Sequence, residues 1–214
     1  MNIVERTFSG FTIRSISVSE MSNNVYLVTA DGADSHVLVD AADDLPAIRS
    51  LIEAAGGGDV DAILTTHRHW DHVRALADAA RELTDRTIAG VDDAEAIAEE
   101  SGATVAETVE HEDVLVIGDL TLACIALRGH TPGSIAFVLT DADGQDVILS
   151  GDSLFPGGPG KTWSEEDFDS LMDDLEERIF ARFGDDAIVL PGHGDSTTLG
   201  AERPHLAEWR ARRW

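Results

Sequence analysis

Apolar and polar positions along this chain alternate with two periods, one of two residues and one close to helical spacing, and the two patterns take turns. Residues 11–18, 24–30 and 36–40 read as strands, with Asn23 and Asp31-Gly32 supplying the polar turns between them. Residues 43–55 read as a helix that Gly56-Gly57-Gly58 ends. The apolar run 61–66 predicts a strand. Residues 71–83 carry apolar positions near helical spacing, and 92–100 predict a further short helix. From 104 to 149 the pattern is one of strands and hairpins. Residues 164–183 predict an amphipathic helix with Ser164 as N-cap and acidic residues in its first turn. A last strand at 187–190 and a closing helix at 203–213 complete the chain. Strands thus come in two groups, each followed by helices, which supports a mixed α/β or α+β domain.

Length and charge narrow this picture. A chain of 214 residues is enough for one sizeable core and short for two, so a single domain over 1–214 is expected. No apolar run reaches the roughly 18 residues that a membrane span needs. The N-terminus shows no basic stretch followed by an apolar one, so no secretory leader is expected. Cys124 is the only cysteine; it excludes an internal disulfide, fits a reducing cytoplasm and lies in a strand-like run as a core residue. The net charge of −26, from 41 acidic and 15 basic residues, disfavours nucleic acid and anionic membranes as partners. So acidic a composition suggests a halophilic origin, with a GC-rich genome as the rival explanation for arginine over lysine.

The candidate chemistry starts at His67-Arg68-His69-Trp70-Asp71-His72, directly after the predicted strand 61–66. Three imidazoles and a carboxylate in six residues are ligand types for zinc and other borderline divalent metals. Packing them without a metal would crowd polar groups in need of partners. Successive residues point to different sides, so the cluster suits two neighbouring metals better than one. Three later places add donors, each at the end of an apolar stretch: Gly129-His130-Thr131-Pro132-Gly133-Ser134, Gly151-Asp152, and Gly192-His193-Gly194. Asp40, at the end of another predicted strand, reads either as orienting a ligand histidine or as a helix cap. His36, His111 and His205 have no such context and read as structural or surface residues.

In these motifs, together with Gly151-Asp152-Ser153-Leu154-Phe155-Pro156-Gly157-Gly158-Pro159-Gly160-Lys161, the chain resembles the metallo-β-lactamase superfamily over about residues 10 to 200. Within that superfamily it is most similar to glyoxalase II-like hydrolases. The resemblance implies an αββα sandwich, two packed mixed sheets flanked by helices. It implies that His67, His69 and His130 hold one metal, that Asp71, His72 and His193 hold another, and that Asp152 bridges them. The cofactors implied are two divalent metals, zinc first, with iron or manganese also compatible. The reaction implied is cleavage of a small acyl thioester by a metal-bridging hydroxide, with Asp71 and Asp152 as the carboxylates at the chemistry.

Lys161 is the only lysine among fourteen arginines, and the resemblance places it, with Trp163, at the substrate. Two departures weaken glutathione as the thiol. Trp163 and Asp195 stand where glyoxalase II enzymes have glutathione-contacting tyrosines, and the helical C-terminal domain of larger members has no counterpart in the sequence. Arg203, Arg210, Arg212 and Arg213 are candidates for an anionic substrate or for simple solvation. The alternatives are a persulfide dioxygenase with one iron on His67, His130 and Asp152, a lactonase or β-lactamase, and a metal-stabilised module without turnover. A flavodiiron role is disfavoured because position 69 is His rather than Glu.

Overall fold

The computed structural model describes residues 2–213. The first sheet contains seven strands in chain order: β1 (Val4–Phe8), β2 (Phe11–Val18), β3 (Asn23–Ala30), β4 (Ser35–Val39), β5 (Asp59–Thr65), β6 (Thr87–Gly90) and β7 (Glu107–Val109). Its first four strands are antiparallel and its last four run parallel. The parallel crossovers carry α1 (Leu45–Ala54), α2 (Leu76–Glu82) and α3 (Ala94–Ser101). The second sheet is built from β8 (Val114–Ile117), β9 (Leu120–Ala126), β10 (Ile135–Thr140), β11 (Asp146–Gly151), β14 (Ile188–Pro191) and β15 (Thr197–Thr198). A small hairpin, β12 (Leu154–Phe155) with β13 (Gly158–Pro159), follows β11. Next in sequence is α4 (Glu165–Asp174), and α5 (Leu199–Glu202) and α6 (Leu206–Arg212) close the chain.

Strand alternation builds three apolar layers from these elements. Val37, Val39, Ala62 and Leu64 face the second sheet, where Phe137, Leu139, Val147 and Leu149 meet them. The residues between them point outward: Leu38 and Ile63 pack under α1 and α2 with Ile48, Leu51 and Leu76. On the far side, Val138 and Ile148 pack under α4 and α6 with Phe168, Leu171 and Trp209. Both faces of the central strands are therefore covered, and the fold is an αββα sandwich. Cys124 lies in the inter-sheet layer, where burial pushes its thiol up to about 12.

Local structure departs from the sequence reading where the backbone has other partners. The expected helix over 71–83 starts late. Trp70–His72 is a 3-10 turn, and the next amides, of Arg74 and Ala75, donate to the carbonyls of Ala42 and Ala41 instead of continuing a helix. This turn aims Asp71 and His72 inward. The helix expected over 92–100 starts at Ala94, and Asp93, which precedes it, spends its carboxylate elsewhere. The long helix of 164–183 changes to a wider π turn over Leu175–Phe180. Its start is as expected: Ser164 Oγ accepts from the Asp167 amide at 3.0 Å. The closing helix begins as a 3-10 turn, Arg203–His205, and α5 before it, four residues long, is too short to give a periodic signal in the sequence. Strand β1 leaves no clear alternation in the sequence because its five residues, pairing with β2 at the sheet edge, carry little burial contrast.

Candidate metal centre

Every donor singled out from the sequence sits where a strand ends. Strand β5 runs into His67, His69 and the Trp70–His72 turn, and the loop after β9 carries His130. Strands β11 and β14, paired in parallel, end side by side at Asp152 and His193. A register shift between Leu149 and Gly151 loosens that pairing at its end, and Gly151 takes a left-handed φ of 51° that turns Asp152 toward the histidines. Gly192 packs directly beneath the site: a Cβ there would run into Asp152 Oδ1 and His72 Cε1.

The side chains converge into three overlapping groups, His67/His69/His130, His67/His72/Asp152 and Asp71/His72/His193, with donor atoms in each within 4.8 Å of one another. Asp152 lies at the middle. Its Oδ1 is 3.4 Å from His72 Nε2, and its Oδ2 is 3.4 Å from His193 Nε2 and 3.7 Å from His130 Nε2. His193 Nε2 also lies 3.2 Å from Asp71 Oδ2.

The outer nitrogens of four imidazoles are tied down, which fixes the rings and leaves each Nε2 facing the centre. His130 Nδ1 donates to the Lys161 carbonyl at 2.7 Å, and His193 Nδ1 to the Met21 carbonyl at 2.9 Å. His72 Nδ1 donates to Asp40 Oδ2 at 2.9 Å. His67 Nδ1 donates to Thr66 Oγ1 at 3.0 Å, and that hydroxyl in turn donates to Asp40 Oδ2 at 2.8 Å. Asp40 thus orients His72 directly and His67 by way of Thr66, and the cap of α1 is Asp44. Its backbone takes the left-handed region, φ 57°, which Asp tolerates better than most residues.

Two supports had no clear signal in the sequence. Asp93 is fully buried between the β5 and β9 loops. Its carboxylate accepts from the Arg68 amide at 3.0 Å, the Gly133 amide at 2.9 Å and Thr131 Oγ1 at 2.5 Å, holding the His67–His69 segment against the His130 turn. Asn23, read only as a turn residue, donates from Nδ2 to Asp71 Oδ2 at 2.9 Å. Its neighbour Asn24 donates to the carbonyls of Pro191 and Gly194, pinning the His193 turn to β3.

The electrostatics divide the imidazoles. Burial holds His67 well below its ordinary value and His69 down at about 4, with neighbouring imidazoles adding to both; burial also lowers His130. Burial opposes charge on His72 and His193 too, but the Asp152, Asp40 and Asp71 carboxylates outweigh it and raise both to about 10. Burial disfavours the carboxylates as well, yet hydrogen bonds from His193 hold Asp71 and Asp152 below the usual range, helped by Asn23 on Asp71 and by His72 on Asp152.

Residues proposed for substrate lie at the mouth. Trp163 is exposed, edge-on to His69 with ring centroids 6.2 Å apart, and Lys161 Nζ sits 4.2 Å above the Trp163 ring. The terminal arginines are engaged elsewhere: Arg203 with Asp185, Arg210 with Glu176 and Asp173, Arg213 with Asp169, and Arg212 with Glu208. The pairs of Arg203, Arg210 and Arg213 tie the C-terminal segment to the body of the protein, and the Arg212–Glu208 pair lies within α6. His36 is buried between Thr29 and the Gly57 carbonyl, and His205 is exposed beside Glu208. No helix among the described residues is long and apolar enough to cross a membrane.

A metal fits this donor set on the structure's own terms. His67 Nε2, His130 Nε2 and Asp152 Oδ1 are buried, face the centre and have no hydrogen-bond partner. Polar atoms so placed are costly unless something binds them.

Comparison with known proteins agrees with this geometry. The chain is 35% identical over 150 residues to a hydroxyacylglutathione hydrolase of Bradyrhizobium, covering 70% of this chain and 54% of that protein. It is 29% identical over 206 residues to a probable metallo-hydrolase of Bacillus subtilis, covering 89% and 93%. The chain therefore spans about half of the first and nearly all of the second. Among solved structures, ETHE1 from Myxococcus xanthus superposes with a TM-score of 0.75 at 26% identity, over 91% of this chain and 82% of that one. TTHA1623, in a di-iron-bound form, gives 0.67 at 28% identity, over 88% and 96%. The Metallo-beta-lactamase superfamily pattern matches residues 18–193, and the chain belongs to that superfamily.

Proposed function

We propose that this protein is a two-metal hydrolase of small acyl thioesters. In this reading His67, His69 and His130 hold one metal, Asp71, His72 and His193 hold the second, and Asp152 bridges them. The observation that carries it is the convergence of these seven side chains with His67 Nε2, His130 Nε2 and Asp152 Oδ1 buried and unpartnered. Zinc suits the nitrogen-rich set best, and iron and manganese accept the same donors. When bound, such a pair makes a nucleophilic water available near neutral pH and polarises a carbonyl.

The protein's own groups then set position and access. Asp40, Thr66, Lys161 and Met21 hold the imidazole rings through their outer nitrogens. Asn23 fixes Asp71 Oδ2 beside His193. The Trp163 ring stands edge-on beside His69 and would wall that side of a bound substrate. The Lys161 ammonium, 4.2 Å above that ring, would meet an anionic end of the substrate. The thioester class rests on relatives named hydroxyacylglutathione hydrolases. Asp195 near the His193 turn disfavours glutathione itself and favours another low-molecular-weight thiol. The charge of −26 we read as an adaptation to strong salt.

A second reading, a persulfide dioxygenase with iron on His67, His130 and Asp152, is favoured by the likeness to ETHE1. Against it stands the other half of the site, where Asp71, His72 and His193 are brought together and individually supported. Elemental analysis of the purified protein, paired with assays on acyl thioesters and on persulfides with oxygen, separates the two. Two metals per chain with thioester cleavage is the expected result. One iron with oxygen consumption would replace the hydrolase by the dioxygenase, and a well-folded protein that takes up no metal would exclude both.

A further inference from the structure

The largest cavity described, about 670 Å³, is not the metal centre but a cleft beside it. It opens at the edge of the sandwich, where the first sheet extends past β14 and β15. Strand alternation explains why it is polar. Phe11 and Ile13 of β2 belong to the inter-sheet core, so Ser15 and Ser17 continue the same face. From Ile16 and Val18 onward the strand's apolar positions lie on the opposite face, under α1. Arg6 and Val4 of β1 sit opposite Ile13 and Ser15 and share that inner face. Asn24 and Tyr26 form the floor, and the Gly194-Asp195-Ser196 segment forms the opposite wall. The sheet here presents hydroxyls, an amide and a guanidinium inward, where the rest of the sandwich presents hydrocarbon.

Arg6 distinguishes this cleft from a solvated edge. In a chain with 41 acidic residues, every other arginine described has a carboxylate within ion-pair distance. Arg6 has none; its hydrogen bond goes to the neutral Ser196 Oγ at 2.9 Å. The only other cation without a carboxylate partner among the described residues is Lys161, at the mouth of the metal centre. Asp195 lines the cleft as well, yet it forms no ion pair with Arg6. The cleft and the metal centre share a wall one backbone pair thick: the Asn24 amide donates to the Gly192 carbonyl at 2.7 Å and the Gly194 amide to the Ser22 carbonyl at 3.3 Å. Tyr26, whose hydroxyl donates to the Pro191 carbonyl at 2.6 Å, closes the floor between the two.

We propose that this cleft is a second ligand site, taking a small hydroxyl- or amide-bearing anion whose carboxylate or phosphate meets the Arg6 guanidinium. The volume suits a metabolite-sized ligand, and the serine hydroxyls and Asn24 supply neutral hydrogen bonds around one fixed charge. The anion is either the far end of the proposed thioester substrate or a separate molecule that stiffens the His193 turn from behind.

Isothermal titration of glycerol phosphate and of lactate, in buffer free of other phosphate and sulfate, tests the site without relying on any activity. At least one probe is expected to bind with a dissociation constant of about 1 mM or tighter. Arg6→Gln should weaken it by about tenfold or more, since a charge-assisted hydrogen bond is lost. Arg6→Lys should retain part of the affinity, and Ser196→Ala should stay within about threefold because the charge remains. Melting curves of the four proteins identify a variant that fails to fold. Asp152→Asn, which disables the proposed metal centre, should bind the probe normally. The proposal is overturned if neither probe binds, if Arg6→Gln binds as well as the parent, or if binding disappears with Asp152→Asn instead. Kinetics then separate the two sources. A KM raised by Arg6→Gln only for thioesters of anionic thiols assigns the anion to the substrate; unchanged KM values alongside lost probe binding assign it to a separate ligand.

Discussion

The two halves of the candidate centre are built from the same residue types and differ in what surrounds them. His67, His69 and His130 are neighbours to one another, and their environment disfavours a proton on each ring. His72 and His193 face Asp71 and Asp152, which favour the proton on both. The first half thus offers lone pairs outright, two of them on buried nitrogens with no other partner. The second half offers a charge-balanced set in which His193 Nε2 already lies 3.2 Å from Asp71 Oδ2 and 3.4 Å from Asp152 Oδ2. Burial alone therefore does not determine how a histidine behaves; the charge of its nearest neighbour does. A metal must compete with nothing in the first half and with internal ion pairs in the second.

Removing the residue common to both halves should have the largest effect. Asp152→Asn leaves the shape intact and cancels the central charge. It is expected to lower thioester turnover by roughly 10³-fold, the scale of several kcal/mol of lost charge stabilisation, and to reduce metal content in both halves. Retention of the full metal content in this variant would mean that Asp152 does not bridge.

Asp93→Ala attacks the first half from behind. It strands the Arg68 and Gly133 amides and the Thr131 hydroxyl in a buried place. A loss of roughly 3 kcal/mol in chemical denaturation is expected, with the His67–His69–His130 group loosened first. Asp40→Asn weighs on the second half, where His72 bonds Asp40 directly, more than on the first, which Asp40 reaches only by way of Thr66. Asn also tolerates the left-handed backbone found at Asp40, so the fold should survive. Metal affinity or activity should fall roughly 10- to 100-fold, through His72. An equal loss of metal from both halves would show that the distinction between them does not extend to binding.

How much of this was visible beforehand follows the same division between donors and their surroundings. The donors were legible because metal chemistry restricts them to a few residue types, and because each stands where an apolar run meets a turn, as at Ala187–Pro191 before His193. The two groups of strands made a mixed α/β or α+β domain legible, and the resemblance in the motifs implied the sandwich, although Ser15 and Ser17, which open the Arg6 cleft, look like ordinary alternation along β2. The supports were not legible. Asp93 lies 25 residues from Arg68 and 40 from Gly133, and its neighbour Asp92 is an equally acidic candidate. The late start of α2 escaped because the partners of Arg74 and Ala75 are carbonyls at 42 and 41, which no local periodicity encodes. Asp40 was undecided for the same reason, since a strand-end aspartate serves as a cap or as an orienting group depending on what lies across the sheet.

The smallest expected effect probes whether the halves are joined. Thr66 Oγ1 is the one described hydroxyl that touches both sides, accepting from His67 Nδ1 and donating to Asp40 Oδ2, which in turn holds His72. Thr66→Val keeps the branched shape at a buried position, and the bond from the Thr66 amide to Asp40 Oδ1 at 2.8 Å survives because it is made by the backbone. What disappears is a single relay. Of the two hydrogen bonds lost with the hydroxyl, the one that holds a donor imidazole is the neutral bond from His67 Nδ1, and a metal affinity reduced about 2- to 10-fold is expected from it. The double variant with Asp40→Asn is more informative than either single change. If the hydroxyl acts by way of Asp40, the two losses will overlap and the double variant will be little worse than Asp40→Asn alone. Strictly additive losses would mean that Thr66 serves only the His67 ring, and that the two halves share Asp152 and nothing else.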